Sequence, residues 1–523
     1  MRSSRLVIRL VSALTVAVFL TSITSCARNP VTGKTELQLV SEQQEIQIGV
    51  QNYLASRQSQ GGDWVVDNEL SNYVSSVGNK LVKVSDRSDL PYEFTVLNNS
   101  VPNAWALPGG KIAVNRGLLI ELNNEAELAA VLSHEIVHAA ARHGAKAMER
   151  GLLLQAGVMG LGAAVGEKDS SALLVGAGAL GAQLIGKKYG RDAELESDRY
   201  GIAMMARAGY DPRAAVTLQE TFVRLFKGEK AGWLEGMFAS HPPSQERVEA
   251  NKATAATFAA SGILGAESYQ ARIAPLKKTR EAYNKFDEGR KALAANNGDA
   301  ALAAAEAALK AEPREALFYG LRGDARIKQK RLLEALGDFD LAIARNRDYF
   351  QFYLQRGLIK QQMRDPAARA DLEKSVALLP TAVGHFALGE DALKRNDREA
   401  AKQNFALAAQ SDADVGKRAT LQLARLDLSE HPEKYIGVDA ARDARGYITV
   451  SVQNRSPAKI KNLKIAVALF DKAGQIVAQD SLTLAATLDP RASITESTRV
   501  GPLATDQDLA RVNVKIFSAE LAE

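Results

Sequence analysis

His134 and His138 stand four residues apart in the string His134-Glu135-Ile136-Val137-His138. On an α-helix, residues i and i+4 lie one above the other on the same face. Two imidazoles so placed can share one tetrahedral divalent cation, and zinc suits that geometry. Glu135 is rotated from His134 by about 100° on such a helix. Its carboxylate therefore stands beside the ion, where it can take a proton from a water the ion activates. Five residues of this kind also occur on ordinary surface helices. Here, however, four of the six histidines (134, 138, 143 and 241) fall in one stretch of chain, and Leu128, Val131, Leu132 and Ile136 beside the pair are apolar. The pair is expected on an inward face, and metal-assisted hydrolysis is the chemistry implied.

Such a site needs a third ligand. His143 lies nine residues after His134, but Ala141 stands where a glycine would be needed to turn the chain and bring a nearby histidine back to the metal. A carboxylate from a second helix is expected instead. Arg191 to Asp198 opens such a helix, and Glu194 and Asp198 in it are again i and i+4. One can bind the metal while the other orients a ligand histidine through its free ring N–H. Spacing alone leaves open which does which, and a solvated acidic helix face would show the same pattern.

The elements that must hold these residues can be read from patterning. Ala and Leu run through 125–143, a helix signal; 93–97 and 111–115 are short strand candidates separated by Pro102, Pro108, Gly109 and Gly110. Residues 151–166 and 170–186 are uncharged and rich in Gly, Ala and Leu; their glycines and the Glu167-Lys168-Asp169 break favour a buried or lid-forming helical hairpin over membrane spans. A Gly176, Gly178, Gly181 string there lacks the strand-to-helix context of a dinucleotide site. Further on, Gly289, Gly323 and Gly357 recur at a spacing of 34, with Gly389 following at 32, and Pro313 and Pro380 close two units. A helix–turn–helix period of 34 is the tetratricopeptide signature, and such units bury their apolar faces by stacking into a concave superhelix. After residue 437, Ile448, Val450 and Val452, then Leu463, Ile465, Val467 and Leu469, then Val512, Val514 and Ile516 alternate with other residues, as in a small antiparallel sandwich.

The first residues look like an address. Arg2, Arg5 and Arg9 precede an uncharged stretch of 14 residues, Leu10 to Ile23, which ends in Thr24-Ser25-Cys26. That is short for a membrane span and suits a signal segment. Small residues before a cysteine resemble the bacterial lipobox, whose cysteine is acylated. Cys26 is the one cysteine in 523 residues, so no intrachain disulfide can form. The net charge of +5 falls to +2 once the three arginines are removed, and no basic run with interleaved aromatics is present, so nucleic acid is not an expected partner.

Four strings, 103–119, 124–143, 191–201 and 240–248, with a weaker one at 37–49, resemble in order the motifs of the HtpX/BepA-like zinc metallopeptidases, relatives of the CAAX prenyl protease. The resemblance covers roughly residues 29–260. It implies one zinc ion per chain held by His134, His138 and Glu194, with Glu135 as general base of an endopeptidase. It further implies that Asp198 hydrogen-bonds a ligand histidine, that His241 can take the fourth coordination position and hold the enzyme latent, and that Arg247 steadies the transition-state oxyanion. His143 matches a family position and is read as structural. Relatives bind substrate as an added strand, which makes Ala104, Trp105, Ala106 and Leu107, and also 111–114, candidate substrate-edge positions. Members with a tetratricopeptide tail act in the periplasm, degrading misassembled outer-membrane proteins or assisting their assembly.

The whole reads as a multidomain, mainly α chain. It comprises a lipoprotein signal peptide (1–25), a tether (26–41), an α+β gluzincin peptidase domain (42–265), an α-solenoid of tetratricopeptide repeats (275–430) and a small C-terminal β-sandwich (437–523). The expected location is the periplasmic face of the bacterial outer membrane, with the lipid as membrane anchor. Unfolded or misassembled envelope proteins and the outer-membrane assembly machinery are the expected partners. A chaperone-like adaptor that holds clients on its repeats, with proteolysis latent, is the alternative. The lipobox and the added sandwich depart from the relatives' layout. The lipobox reading has a direct check: Cys26→Ser is expected to leave the precursor unprocessed, seen as a slower-migrating, unacylated band.

Overall fold

The computed structural model describes residues 25–162, 189–227, 241–484 and 486–522. The signal peptide up to residue 24, the Gly-rich string at 176–181 and the expected hairpin from residue 163 onward lie outside them. No helix among the described residues is long and apolar enough to cross a membrane. The chain divides into two compact units, Met1–Arg356 and Gly357–Glu523.

The first unit opens with a hairpin where a tether was expected. Strands β1 (Ser25–Arg28) and β2 (Thr35–Gln38) pair antiparallel, Cys26 opposite Leu37. Asn29 makes the turn: its Oδ1 accepts from the Val31 and Thr32 amides at 2.9 and 3.0 Å. Asn29 and Gly33 within the expected tether thus close a local hairpin instead. The hairpin is fastened to the domain, since Asn29 Nδ2 donates to the Ala141 carbonyl at 3.1 Å and Lys146 pairs with Glu36 at 2.8 Å.

Helices α1 (Glu42–Ser59) and α2 (Asn68–Val82) lead to a three-stranded sheet of β3 (Glu93–Leu97), β4 (Ala104–Leu107) and β5 (Lys111–Asn115). The order is β3-β5-β4, with β5 parallel to β3 and antiparallel to β4. Strand β4 is therefore an edge. Residues 111–114 belong to the central strand, whose backbone is paired on both sides, and this removes them as substrate-edge positions. The β4–β5 turn needs glycine. Gly109 has φ +77°, and a Cβ there would lie 2.7 Å from the Ile46 Cα.

After α3 (Arg116–Glu121) comes the helix that carries the two histidines, α4 (Glu125–Ala140), capped by Asn124, whose side chain accepts from the Glu127 amide at 2.8 Å. Every residue from Ala126 to Ala140 is buried. Helices α5 (His143–Gly162), α6 (Arg191–Arg207), α7 (Ala214–Lys227) and α8 (Gln245–Ala255) complete the domain. Gly201 brings α6 close to α4, because a Cβ there would meet Ser133 Oγ at 3.1 Å and the His134 amide nitrogen at 3.3 Å.

The boundary between compact units falls inside the repeat array rather than before it. The first repeats bond to the peptidase domain through buried polar groups. Trp64 Nε1 donates to Tyr283 Oη at 2.7 Å, Tyr283 Oη donates to Glu315 at 2.6 Å, and Asn98 Nδ2 donates to Glu315 at 3.0 Å. The Arg116 guanidinium lies 3.3 Å from the Tyr283 ring centre. Such groups are costly to bury unpaired, so the contact holds as one piece.

The recurring glycines have a packing cause. A Cβ on Gly289 would meet Leu321 at 2.6 Å, on Gly323 Phe339 at 2.8 Å, on Gly357 Leu372 at 2.9 Å and on Gly389 Phe405 at 2.7 Å. In each repeat the glycine makes room for a large side chain from a neighbouring helix. The second unit ends in two three-stranded sheets, β10-β7-β6 and β11-β8-β9. Strands β6 (Ile436–Arg442), β7 (Ile448–Asn454), β8 (Ile460–Phe470), β9 (Ile476–Leu484), β10 (Ser493–Ser497) and β11 (Val512–Leu521) share a core that includes Val450, Val452, Ile465 and Val467. That is the sandwich expected from the period-2 pattern.

Gly323→Ala should destabilise the first unit by about 1–3 kcal/mol through overpacking against Phe339, lowering its urea midpoint. Gly337→Ala, where nothing lies within 4 Å of an added Cβ, should instead be neutral or stabilising by roughly 0.5–1 kcal/mol.

Candidate metal centre

Helix α4 aims His134 and His138 at a single point, and α6 brings Glu194 to it. The two Nε2 atoms are 3.0 Å apart; Glu194 Oε1 is 3.4 Å from His138 Nε2, and Oε2 is 3.5 Å from His134 Nε2. His241, just before α8, adds its Nδ1 at 3.0 Å from Glu194 Oε1 and 3.3 Å from His134 Nε2. Ligand atoms of all four residues lie within 4.8 Å of one another, and all four residues are buried or nearly so.

The donor chemistry tests whether a cation fits. Asp198 Oδ1 is 2.9 Å from His134 Nδ1. A carboxylate only accepts, so that nitrogen carries a proton and a neutral His134 presents a lone pair on Nε2. The same follows for His138, whose Nδ1 is 3.0 Å from His143 Nδ1, once the His143 lone pair faces it. Two imidazole lone pairs and a carboxylate then converge, and only shared positive charge makes that favourable. Glu135 Oε2 is buried without a hydrogen-bond partner, as an atom reserved for another species would be. Two or three imidazoles with one carboxylate, all N and O donors, form a set that suits zinc.

The electrostatics show the same demand. Burial works against a charged His134, yet the Asp198 and Glu194 carboxylates raise it to about 10. Burial would raise Glu194, but His241, then His134 and His138, hold it well below the carboxylate range. Asp198, buried too, is held at about 2, chiefly by Arg247. Burial pushes His138 well below the usual histidine range. A metal ion entering here displaces a proton, the usual coupling of metal binding to pH.

Around this centre sits a shell of fixed groups. Arg247 Nε and its NH2 group donate to the two Asp198 oxygens, each at 2.7 Å, and its NH1 group lies 2.9 Å from Glu194 Oε2. The guanidinium expected to steady an oxyanion is held by the two buried carboxylates, Asp198 and Glu194. His143 was read as structural; it is brought back to the centre by a turn at Arg142, φ 64°, held by Glu45 and the Val40 carbonyl. That turn does the work thought to need glycine at 141, and it delivers His143 to the outer nitrogen of His138 rather than to the point where His134, His138 and Glu194 meet. Sequence reasoning missed Glu196, 3.1 Å from His143 Nε2, and Tyr189, whose ring centre is 4.1 Å from that of His138. Neither left a signal in the sequence, since Glu196, two residues after Glu194, falls on the other side of the helix. Beside Glu135 opens an apolar pocket lined by Leu118, Val131, Ile202, Met205 and Phe222, with Ala104 of the edge strand at its margin.

A helix with the His-Glu-x-x-His pattern facing a glutamate from a second helix, both packed near a small sheet, defines the zinc-metallopeptidase class of site. Residues 68–255 match the model of peptidase family M48. Among relatives, the metalloprotease YcaL of Escherichia coli (strain K12) is 30% identical over 188 residues, 35% of this chain and 71% of its own length. The beta-barrel assembly-enhancing protease of the same strain is 27% identical over 365 residues, 63% of this chain and 73% of its own. A putative beta-barrel assembly-enhancing protease of Vibrio cholerae serotype O1 is 32% identical over 191 residues, 35% of this chain, and the match spans only 38% of that protein's length. The chain belongs to peptidase family M48.

Arg247→Leu should leave two buried carboxylates without their cation and cost about 3–5 kcal/mol, read as a fall in the urea midpoint of the metal-free protein.

Proposed function

We propose that this chain is a zinc-dependent endopeptidase of the bacterial cell envelope that acts on unfolded or misassembled envelope proteins. The observation that carries the reading is the meeting of His134, His138 and Glu194 at one buried point with Glu135 beside it. Zinc, when bound, supplies a Lewis acid that can bring the pKa of water down to about 7. The rest falls to the chain. Glu135, with its buried free Oε2, takes the proton of the attacking water and hands it to the departing amine. Asp198 fixes the tautomer of His134, and Arg247 holds Asp198 and Glu194 in place. Strand β4, Ala104 to Leu107, stands at the edge of its sheet, and the substrate adds to it as a further strand. The apolar pocket beside Glu135 receives a hydrophobic side chain next to the cleaved bond.

The envelope setting rests on the lipobox at Cys26, and the role in beta-barrel assembly for which the relatives are named supports outer-membrane protein quality control as the task. Acylation of Cys26 would put the enzyme on the outer membrane, facing the periplasm, and the repeats would hold clients or parts of the assembly machinery.

One feature favours a latent resting state. His241 touches Glu194 at 3.0 Å and its Nε2 comes within 3.6 Å of Glu135 Oε1, across the ground an attacking water needs. This supports the second reading, in which the chain mostly holds clients and cuts rarely. Cleavage of an unfolded protein such as casein should vanish with a zinc chelator and in Glu135→Gln, and should rise in His241→Ala. Activity surviving in Glu135→Gln would defeat the mechanism. Equal rescue of client assembly by wild type and Glu135→Gln would favour the holding role.

A further inference from the structure

We propose that His143 is a positioning residue for the metal ligand His138, working with Glu196 as a hydrogen-bonded chain that keeps the proton of His138 on Nδ1 and its lone pair on Nε2. The inference rests on the zinc reading above and extends it outward from the ligands. Glu196 Oε1 lies 3.1 Å from His143 Nε2. An ionised carboxylate can only accept, so His143 carries its proton on Nε2. A neutral imidazole protonated there leaves Nδ1 as an acceptor. That Nδ1 faces His138 Nδ1 at 3.0 Å, so His138 donates from Nδ1 and presents a bare Nε2 to the centre. Ser197 Oγ, at 3.4 Å from His143 Nδ1, is the longer and weaker alternative donor to the same lone pair.

The arrangement gives each ligand histidine its own anchor. His134 is held directly by Asp198, at 2.9 Å; His138 is held at one remove by Glu196 through His143. Both anchors come from α6, which also supplies Glu194. Glu194 and Asp198, one turn apart, face α4. Glu196 is rotated by about 200° from Glu194 and reaches α5 instead. The turn at Arg142 makes this possible by starting α5 at His143 itself. His143 and His138 are 5% and 1% exposed, so water does not compete for the bond between them. Groups that orient a metal-ligating histidine in this way commonly change metal affinity strongly.

The test measures the zinc affinity of the full mature chain by competition with a chelator, alongside thermal unfolding of the metal-free protein. His143→Leu and Glu196→Leu should each weaken zinc binding by about 10- to 100-fold. His143→Asn, whose Oδ1 can accept from His138 Nδ1, and Glu196→Gln, whose Oε1 can accept from His143, should recover most of that affinity. A purely structural role predicts no such split between acceptor-keeping and acceptor-removing variants. Wild-type affinity in both Leu variants, or equal loss in the Asn and Leu variants of His143, would overturn the proposal. If His143→Leu fails to fold, the Glu196→Leu and Glu196→Gln comparison decides it at a partly exposed site. Failure of the wild-type chain to hold zinc would defeat the peptidase reading, and this proposal with it.

Discussion

His134 Nε2, His138 Nε2 and the Glu194 carboxylate are gathered within 3.0 to 3.5 Å of one another in a buried place. Acceptor atoms so crowded repel unless positive charge sits among them, and burial makes the repulsion stronger because little water screens it. This one constraint explains why the surroundings are so thoroughly paired. Arg247 is spent on Asp198 and Glu194. His134 is drawn toward the charged form. The Nδ1 atoms of His134 and His138, which face away from the centre, each have a partner. The sites of charge are fixed before any substrate arrives, and preorganisation of that kind is what makes electrostatic catalysis effective.

The fold serves that gathering through a few close approaches. Gly201 lets α6 lie against α4 near Ser133 and His134. The left-handed Arg142 ends α4 and starts α5 at once, and its guanidinium is held by Glu45 of α1 and by the Val40 carbonyl beyond the N-terminal hairpin. The hairpin in turn bonds to Ala141, three residues past His138. Cys26 in that hairpin is therefore tied closely to the end of the helix that bears the two histidines.

Much of this was legible in residue types and spacing. The i, i+4 histidines with an intervening glutamate specify a helix face and a chemistry together, so the centre of the site could be named before any fold was known. The glycines at a 34-residue period marked the repeats because each must admit a large neighbour, and alternation marked the strands of the sandwich because one face of each is buried. What escaped depended on tertiary approach. A non-glycine residue was not expected to turn the chain at Arg142, since the cost of left-handed backbone is met there by an ion pair from a distant helix. The direction of the Arg247 side chain was decided by two buried carboxylates, which no local pattern reveals. The turn-rich 26–41 stretch looked like a tether because a two-strand hairpin has too little periodicity to stand out.

X-ray absorption at the zinc edge, on the mature chain loaded with one equivalent of metal, probes the central claim most directly. The account predicts one tightly held zinc in a four-coordinate N/O shell with at least two imidazoles at about 2.0–2.1 Å, and loss of imidazole scattering when His134 or His138 is replaced by alanine. Zinc that is not retained, or a shell whose imidazole content is unchanged by those replacements, would contradict it.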